Sequence, residues 1–334
     1  MIQANEIAAV FGLPCLLSGD MQTALQLWED LYQNRANWQK ERVKPLRLPA
    51  MIARELKRLA LTEFVLDTKD TELQLPLQHT KQMLRQKLDY GIASGGLLLK
   101  PYYHNGLQID FVAQNQYLPV RYTNDACTAV ICPEELVLEK RCYTRLEFHQ
   151  FDERAHTHTI QQRCFRSPTP GTLGLECDLT EVPQWANLLP QKTYYDVSQP
   201  LFAMFQMPEA NNIDPTSPLG VSAYADAVDL IHDADVHWER ILWELESSER
   251  AIDASEDLFR FHPGTNQPIL PKGRERMYHC LEKTGTGNTI FNTFSPEIRD
   301  TSYFNALNQI LRRIESAAGL SYGTLSEVSD VEKT

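Results

Sequence analysis

The spacing of apolar and polar positions changes character twice along the chain. Over residues 21–38, Leu25, Trp28, Leu31 and Tyr32 recur at three- and four-residue intervals, which predicts a helix with one apolar face. Pro49 suits the first position of a second helix, with Ile52, Leu56, Leu59 and Phe64 expected on its inner side. Pro76 is read the same way for a third helix carrying Met83, Leu84 and Leu88. That helix runs into Gly95-Gly96, a natural stop because glycine accepts left-handed geometry without a Cβ clash. From residue 97 the period falls to two. Segments 97–103 and 107–113 flank His104-Asn105-Gly106, where Asn-Gly favours a tight hairpin turn. Further strands are expected at 117–122, 126–132, 137–149 and 156–166. Helices followed by antiparallel strands give an α+β class.

Residues 207–220 contain Pro208, Pro215 and Pro218 among small and polar residues and form the clearest break. The stretch Ser222–Ile252 that follows has neither Pro nor Gly. It predicts one long helix of about 45 Å, packed through Val228, Ile231, Trp238, Leu242 and Leu245. A small α/β module comes next, with a strand near 258–262, a helix near 273–283, a strand near 288–293 and a helix near 301–317. The expected organisation is therefore 1–220 (helices plus antiparallel strands), 221–252 (long helix), 253–326 (α/β module) and 327–334 (polar tail).

Composition changes this picture in one place. The chain has 334 residues, 43% of them hydrophobic, enough for about two domains with real cores. A net charge of −12 argues against a broad basic surface for holding nucleic acid, but not against a protein that lets nucleic acid slide past. That charge is concentrated: between residues 226 and 249, eight acids face the single base Arg240. Like charges at i,i+4, such as Asp229 with Asp233 and Asp235 with Glu239, each disfavour an isolated helix by a few tenths of a kcal/mol. The helix therefore needs packing partners. Asp226, Asp229, Asp233, Asp235, Glu239 and Glu246 are the candidate acidic face, turned toward a space shared by copies of the helix. Lys272, Arg274 and Arg276 are candidate basic contacts in the α/β module.

Chemistry is less visible. There is no phosphate-binding loop, nucleophile elbow or HExxH motif. His156 and His158 would share one face of a strand, with His149 across a hairpin, a pattern that suits a metal only if a third ligand joins them. The seven cysteines include no CxxC and are expected to be buried, reduced thiols. The N-terminus lacks a basic leader, and no run of about 18 apolar residues occurs, so neither a signal peptide nor a membrane span is expected. No catalytic group, metal or cofactor is indicated.

Several motifs stand in a recognisable order. They are Trp28-x2-Leu31-Tyr32-x5-Trp38, Ala93-Ser94-Gly95-Gly96 running into Lys100-Pro101-Tyr102, and Pro200-Leu201-Phe202 before Asn211-Asn212-Ile213-Asp214. Ser217-Pro218-Leu219-Gly220-Val221-Ser222 then opens the long helix, and Ala318-Gly319-Leu320-Ser321-Tyr322-Gly323-Thr324-Leu325-Ser326 closes the series. In this order the chain resembles the portal (head–tail connector) proteins of tailed double-stranded DNA bacteriophages with long non-contractile tails. The resemblance spans nearly the whole chain. It implies that 1–220 builds part of a wing, 221–252 the first stem helix and 253–326 the clip, with no covalent chemistry.

Such a subunit would join a dodecamer-like homo-oligomeric ring at the portal vertex of the virion, assembled in the host bacterial cytoplasm. Double-stranded DNA would pass transiently through its channel during packaging and ejection. The expected partners are the terminase large subunit, a head–tail adaptor, and capsid and scaffolding proteins. The sequence stops at Val331-Glu332-Lys333-Thr334, where the family's second stem helix would begin, so the reading is of a portal subunit lacking its C-terminal part. The alternative is a minor head or adaptor protein of the virion that forms no ring. A third reading is a hydrolase built on His149, His156 and His158.

Overall fold

A computed structural model describes residues 2–40, 42–103, 106–123, 126–248, 251–265, 267–270, 277–281, 291–294 and 300–328. The fold is α+β. By its internal contacts the chain divides into two units, the first made of residues 1–37, 47–228 and 316–320, the second of 38–46, 229–315 and 321–334.

The first unit begins with a short helix, α1 (Ala4–Val10), too brief to leave a periodic signature. The helix α2 (Gly19–Tyr32) starts where the Ser18 hydroxyl accepts from the Met21 N–H, and it buries Met21, Leu25, Trp28 and Leu31. In α3 (Leu48–Thr62), Pro49 lies in the first turn as expected and Ile52 is buried, but Leu59 is exposed. The next helix, α4 (Thr71–Ser94), opens five residues before Pro76. The Asp70 side chain accepts from the Glu72 N–H and caps it, so Pro76 sits inside the helix, where it removes one hydrogen bond.

The strands β1 (Gly96–Tyr103) and β2 (Leu107–Ala113) pair as an antiparallel hairpin. The His104-Asn105 part of their turn lies outside the described residues. On its other side β1 pairs with β9 (Ala203–Gln206), completing a three-stranded sheet. A larger sheet runs β3 (Leu118–Thr123), β4 (Ala126–Leu138), β5 (Arg141–Asp152), β6 (Thr157–Ser167) and β7 (Leu175–Cys177), with β8 (Gln191–Tyr194) also on β6. The β4–β5 hairpin turns at Glu139-Lys140, whose φ values of 47° and 68° are those of a tight turn. Neither residue type advertises that geometry, and the sequence reading broke the strands earlier, after residue 132.

The two faces of this sheet differ. Leu118, Val120, Ala129, Ile131, Leu146, Phe148 and Phe165 pack with Ile2, Ile7 and Ala8 into an apolar core. The odd-numbered positions of β5 point the other way. At one end of that face Tyr143 and Cys164 pack with Leu179, Val182 and Trp185; toward the other end the interior becomes polar.

Two of the quoted motifs meet at a glycine contact. Gly95 has φ +92°, and a Cβ on Gly220 would fall 2.2 Å from the Gly95 carbonyl oxygen, so both positions exclude a side chain. The buried Gln114 joins them: its amide donates to the carbonyls of Ser94 (2.8 Å) and Gly220 (2.7 Å) and its oxygen accepts from the Gly220 N–H (3.2 Å). Ser94-Gly95-Gly96 is thus a helix stop pinned to a distant loop.

In the second unit α5 (Val228–Ser247) has 20 residues, preceded by a 3₁₀ turn at Ala225–Ala227. At about 30 Å it is shorter than the expected span, because the chain from Ala251 leaves the helical pattern and enters a sheet. There β10 (Ala251–Ser255) lies between β11 (Tyr278–Leu281), which is parallel to it, and β12 (Phe291–Phe294), which is antiparallel. Pairing on both edges overrides the local absence of helix breakers. The strand expected at 258–262 is instead a 3₁₀ turn at Glu256–Leu258 followed by a single bridge from Phe261 to Pro268. Part of the helix expected near 273–283 is β11, and the rest falls outside the described residues. The last helix, α6 (Asp300–Ala317), lies where it was expected. Among the described residues no helix is long and apolar enough to cross a membrane.

Candidate functional site

On α5 and the turn before it the structure separates the predicted acids into different environments. Asp226, Asp229, Asp233 and Glu246 are exposed and Glu239 is half-buried. Asp226 accepts from the Asn212 amide at 2.6 Å. Asp235 does not belong to this face: it is 1% exposed and accepts from Trp38 Nε1 (3.1 Å), Gln39 Nε2 (2.9 Å) and the Leu46 N–H (2.8 Å). A carboxylate with three donors can be buried at modest cost, and here it anchors the segment 38–46. The Trp38 ring also meets His232 edge-on at 4.9 Å.

The predicted packing stripe is likewise only partly internal. Ile231 is buried; Val228, Trp238 and Leu242 are half-buried; Leu245 is 41% exposed. Ala234, Asp235, Ile241 and Glu244 take the remaining interior positions. Trp243 is 58% exposed. His237 Nε2 lies 2.9 Å from the Tyr303 carbonyl oxygen and joins α5 to α6. The basic residues Lys272, Arg274 and Arg276 lie outside the described residues.

The closing motif has a structural explanation in Glu315. Its carboxylate accepts from the N–H groups of Gly323 (3.2 Å), Leu325 (2.5 Å) and Ser326 (2.7 Å) and from the Ser326 hydroxyl (2.9 Å). Burial opposes its ionisation, but these four donors outweigh burial and hold the carboxyl below its ordinary range. Gly323, at φ +82°, lets the chain fold back over Glu315.

A buried polar cluster in the first unit brings together His149 and His158, two of the three histidines noted in the sequence, with Glu147, which was not. On the polar face of β5, Glu147 accepts from Lys100 Nζ (2.6 Å), Arg145 Nη1 (2.9 Å) and Gln162 Nε2 (3.2 Å). His149 Nε2 lies 2.7 Å from the same carboxylate, and His149 Nδ1 lies 3.1 Å from His158 Nε2. The Leu201 N–H donates to His158 Nδ1 at 3.3 Å, which fixes every proton in the chain. His158 Nε2 then donates to His149 Nδ1, and His149 Nε2 to Glu147. Phe202 closes the cluster, its ring centroid 5.9 Å from His158 and 6.1 Å from His149.

Burial pushes the Glu147 carboxyl up, but His149, Lys100 and Arg145 together hold it well below the ordinary range. Burial, with a smaller contribution from His149, lowers His158 from 6.5 to about 4. The sequence signal for Glu147 was its place among polar residues at alternate positions of β5, which reads equally well as a solvated strand.

His156 stands apart from it, exposed in the turn before β6 with φ 50°. Among the described residues no group of three or more His, Cys, Asp or Glu side chains is arranged to hold a metal ion. The relay is anchored at both ends by fully engaged groups, a backbone amide and a carboxylate with cationic partners, and it links β5 and β6 to the Leu201–Phe202 segment. The protein has been compared with known families and with curated proteins, and no family model and no curated protein matches it.

Proposed function

We propose that this chain is a subunit of a portal-type head–tail connector, a ring at a capsid vertex through which double-stranded DNA moves. The observation that carries the reading is α5. It bears Asp229, Asp233 and Glu246 exposed on the same helix as the exposed Trp243 and Leu245. A solvated helix needs acids but gains nothing from a bare tryptophan, whereas a helix packed beside copies of itself needs both: apolar contact between neighbours and an acidic face in the enclosed space. The order of elements supports the same reading: helices, antiparallel sheets, an acidic helix, a small mixed-sheet module and a final helix.

An acidic wall suits passage of DNA because it offers phosphates no basic site at which to release counterions and stick. In this role the protein is not an enzyme. Its partners are copies of itself, the terminase large subunit, a head–tail adaptor, and capsid and scaffolding proteins. It resides in the virion after assembly in the bacterial cytoplasm. Mass photometry and negative-stain imaging at micromolar concentration test the proposal. Closed rings of uniform subunit number are expected, and a strict monomer would overturn it in favour of a virion protein that forms no ring.

A further inference from the structure

Cys164 and Cys177 occupy directly opposed positions on the antiparallel strands β6 and β7, and their sulfurs lie 3.4 Å apart. Opposed residues on antiparallel strands have Cα atoms about 4.5–5.5 Å apart, inside the range of about 4.4–6.8 Å that a disulfide spans. Bond formation therefore requires side-chain rotation only. We infer that this pair is a thiol–disulfide site that a low-molecular-weight disulfide converts to a cross-strand staple. The inference stands apart from the portal reading.

The chemistry follows from exposure. Cys177 is half-buried on a three-residue edge strand, whereas Cys164 is buried behind it against Leu179, Val182 and Trp185. Cys177 meets the oxidant first. Its thiolate attacks one sulfur of glutathione disulfide, the S–S bond breaks, and one glutathione thiolate leaves. Cys164 then loses its proton to solvent and displaces the second glutathione thiolate from the Cys177 sulfur. The net change is one protein S–S bond and two glutathione thiols, with two electrons passed from the protein to the glutathione pair.

Burial pushes Cys164 up to about 12, and it raises Cys177 also, although the hydrogen bond with Cys164 works against it. The pair is therefore a slow staple rather than a fast sensor. What it would hold is definite. Glu176 in β7 pairs with Arg163 (2.6 Å), and Glu181, four residues beyond the strand, pairs with Arg166 (2.8 Å), partly exposed ion pairs of little strength. A covalent link between them fixes the edge strand and the 179–185 segment that covers Cys164.

The test uses the intact chain with glutathione disulfide in excess at about pH 8.5, followed by alkylation in denaturant and peptide mapping. The expected product has two fewer alkylatable thiols among the seven, a mass lower by two hydrogens, and a Cys164–Cys177 linked peptide that dithiothreitol separates. Slower hydrogen exchange over 175–185 in the oxidised form is expected as well. In Cys164→Ser, Cys177 should stop at the mixed disulfide. An unchanged thiol count, a lasting mixed disulfide on Cys177 in the unmodified protein, or linkage of any other pair would overturn the inference. The mapping needs no variant, so it stands even if the substituted chain folds poorly.

Discussion

At the scale of single residues, the structure separates acids that look alike in sequence. Asp233 and Asp235 are two positions apart on one helix, yet the first is exposed and the second holds three donors. Asp235→Ala would leave an indole N–H, an amide and a backbone N–H without their acceptor, at a cost of about 2–4 kcal/mol. Asp233→Ala should stay within about 0.5 kcal/mol of the parent. Urea denaturation decides this, and equal midpoints for the two variants would show that the Asp235 contacts carry no stability.

His158 gives a pH dependence of definite sign. Its pKa falls from 6.5 to about 4 on folding, so between these values the unfolded chain takes up a proton that the folded chain refuses. This contribution is complete above pH 6.5 and is lost as pH falls toward 4, on the order of 3 kcal/mol. The loss continues at lower pH as Glu147, also held below its ordinary value, is protonated. In His158→Asn the amide oxygen can replace Nδ1 as acceptor for Leu201 without titrating. Unfolding midpoints measured at several pH values should show a flatter slope between 6.5 and 4 for this variant.

Among the elements, those with a long period or a strong punctuation mark were legible. The helices α2, α3 and α6 and the strands β1, β2, β3 and β6 lie within a few residues of their expected places. The misses share a physical cause. The helix α1 is too short to show a period, β7, β8 and β9 are three or four residues long, and β10 exists because β11 and β12 flank it. The Glu147–His149–His158 cluster depends on register between β5 and β6 and on Lys100 of β1, in the other sheet, reaching Glu147, which no single segment encodes. On α5, burial decides which residue tests self-packing. Ile231 is fully buried, and Ile231→Ala should cost about 2–5 kcal/mol in the isolated subunit. Trp243 lies mostly in solvent, and Trp243→Ala should leave the urea midpoint unchanged while shifting sedimentation toward smaller species. A Trp243 variant that assembles like the parent would mean that this face is not the contact.

For the molecule as a whole, the charge of −12 sets the conditions under which copies can come together. Packing α5 beside another α5 brings Asp229, Asp233 and Glu246 of neighbouring copies into one space, where they repel. The apolar contact through Trp243 has to overcome that repulsion. Salt weakens the repulsion and leaves the apolar contact nearly untouched, since the screening length falls from about 30 Å at 0.01 M to about 10 Å at 0.1 M. Assembly should therefore strengthen as ionic strength rises over that range, and Asp229→Asn with Asp233→Asn should reduce the dependence. An interface held by ion pairs between copies would behave in the opposite way, loosening with salt. Sedimentation velocity across a sodium chloride series separates the two. Assembly that weakens with salt would place the acids in attractive contacts, and with them in such contacts an acidic face turned to a shared channel would lose its basis.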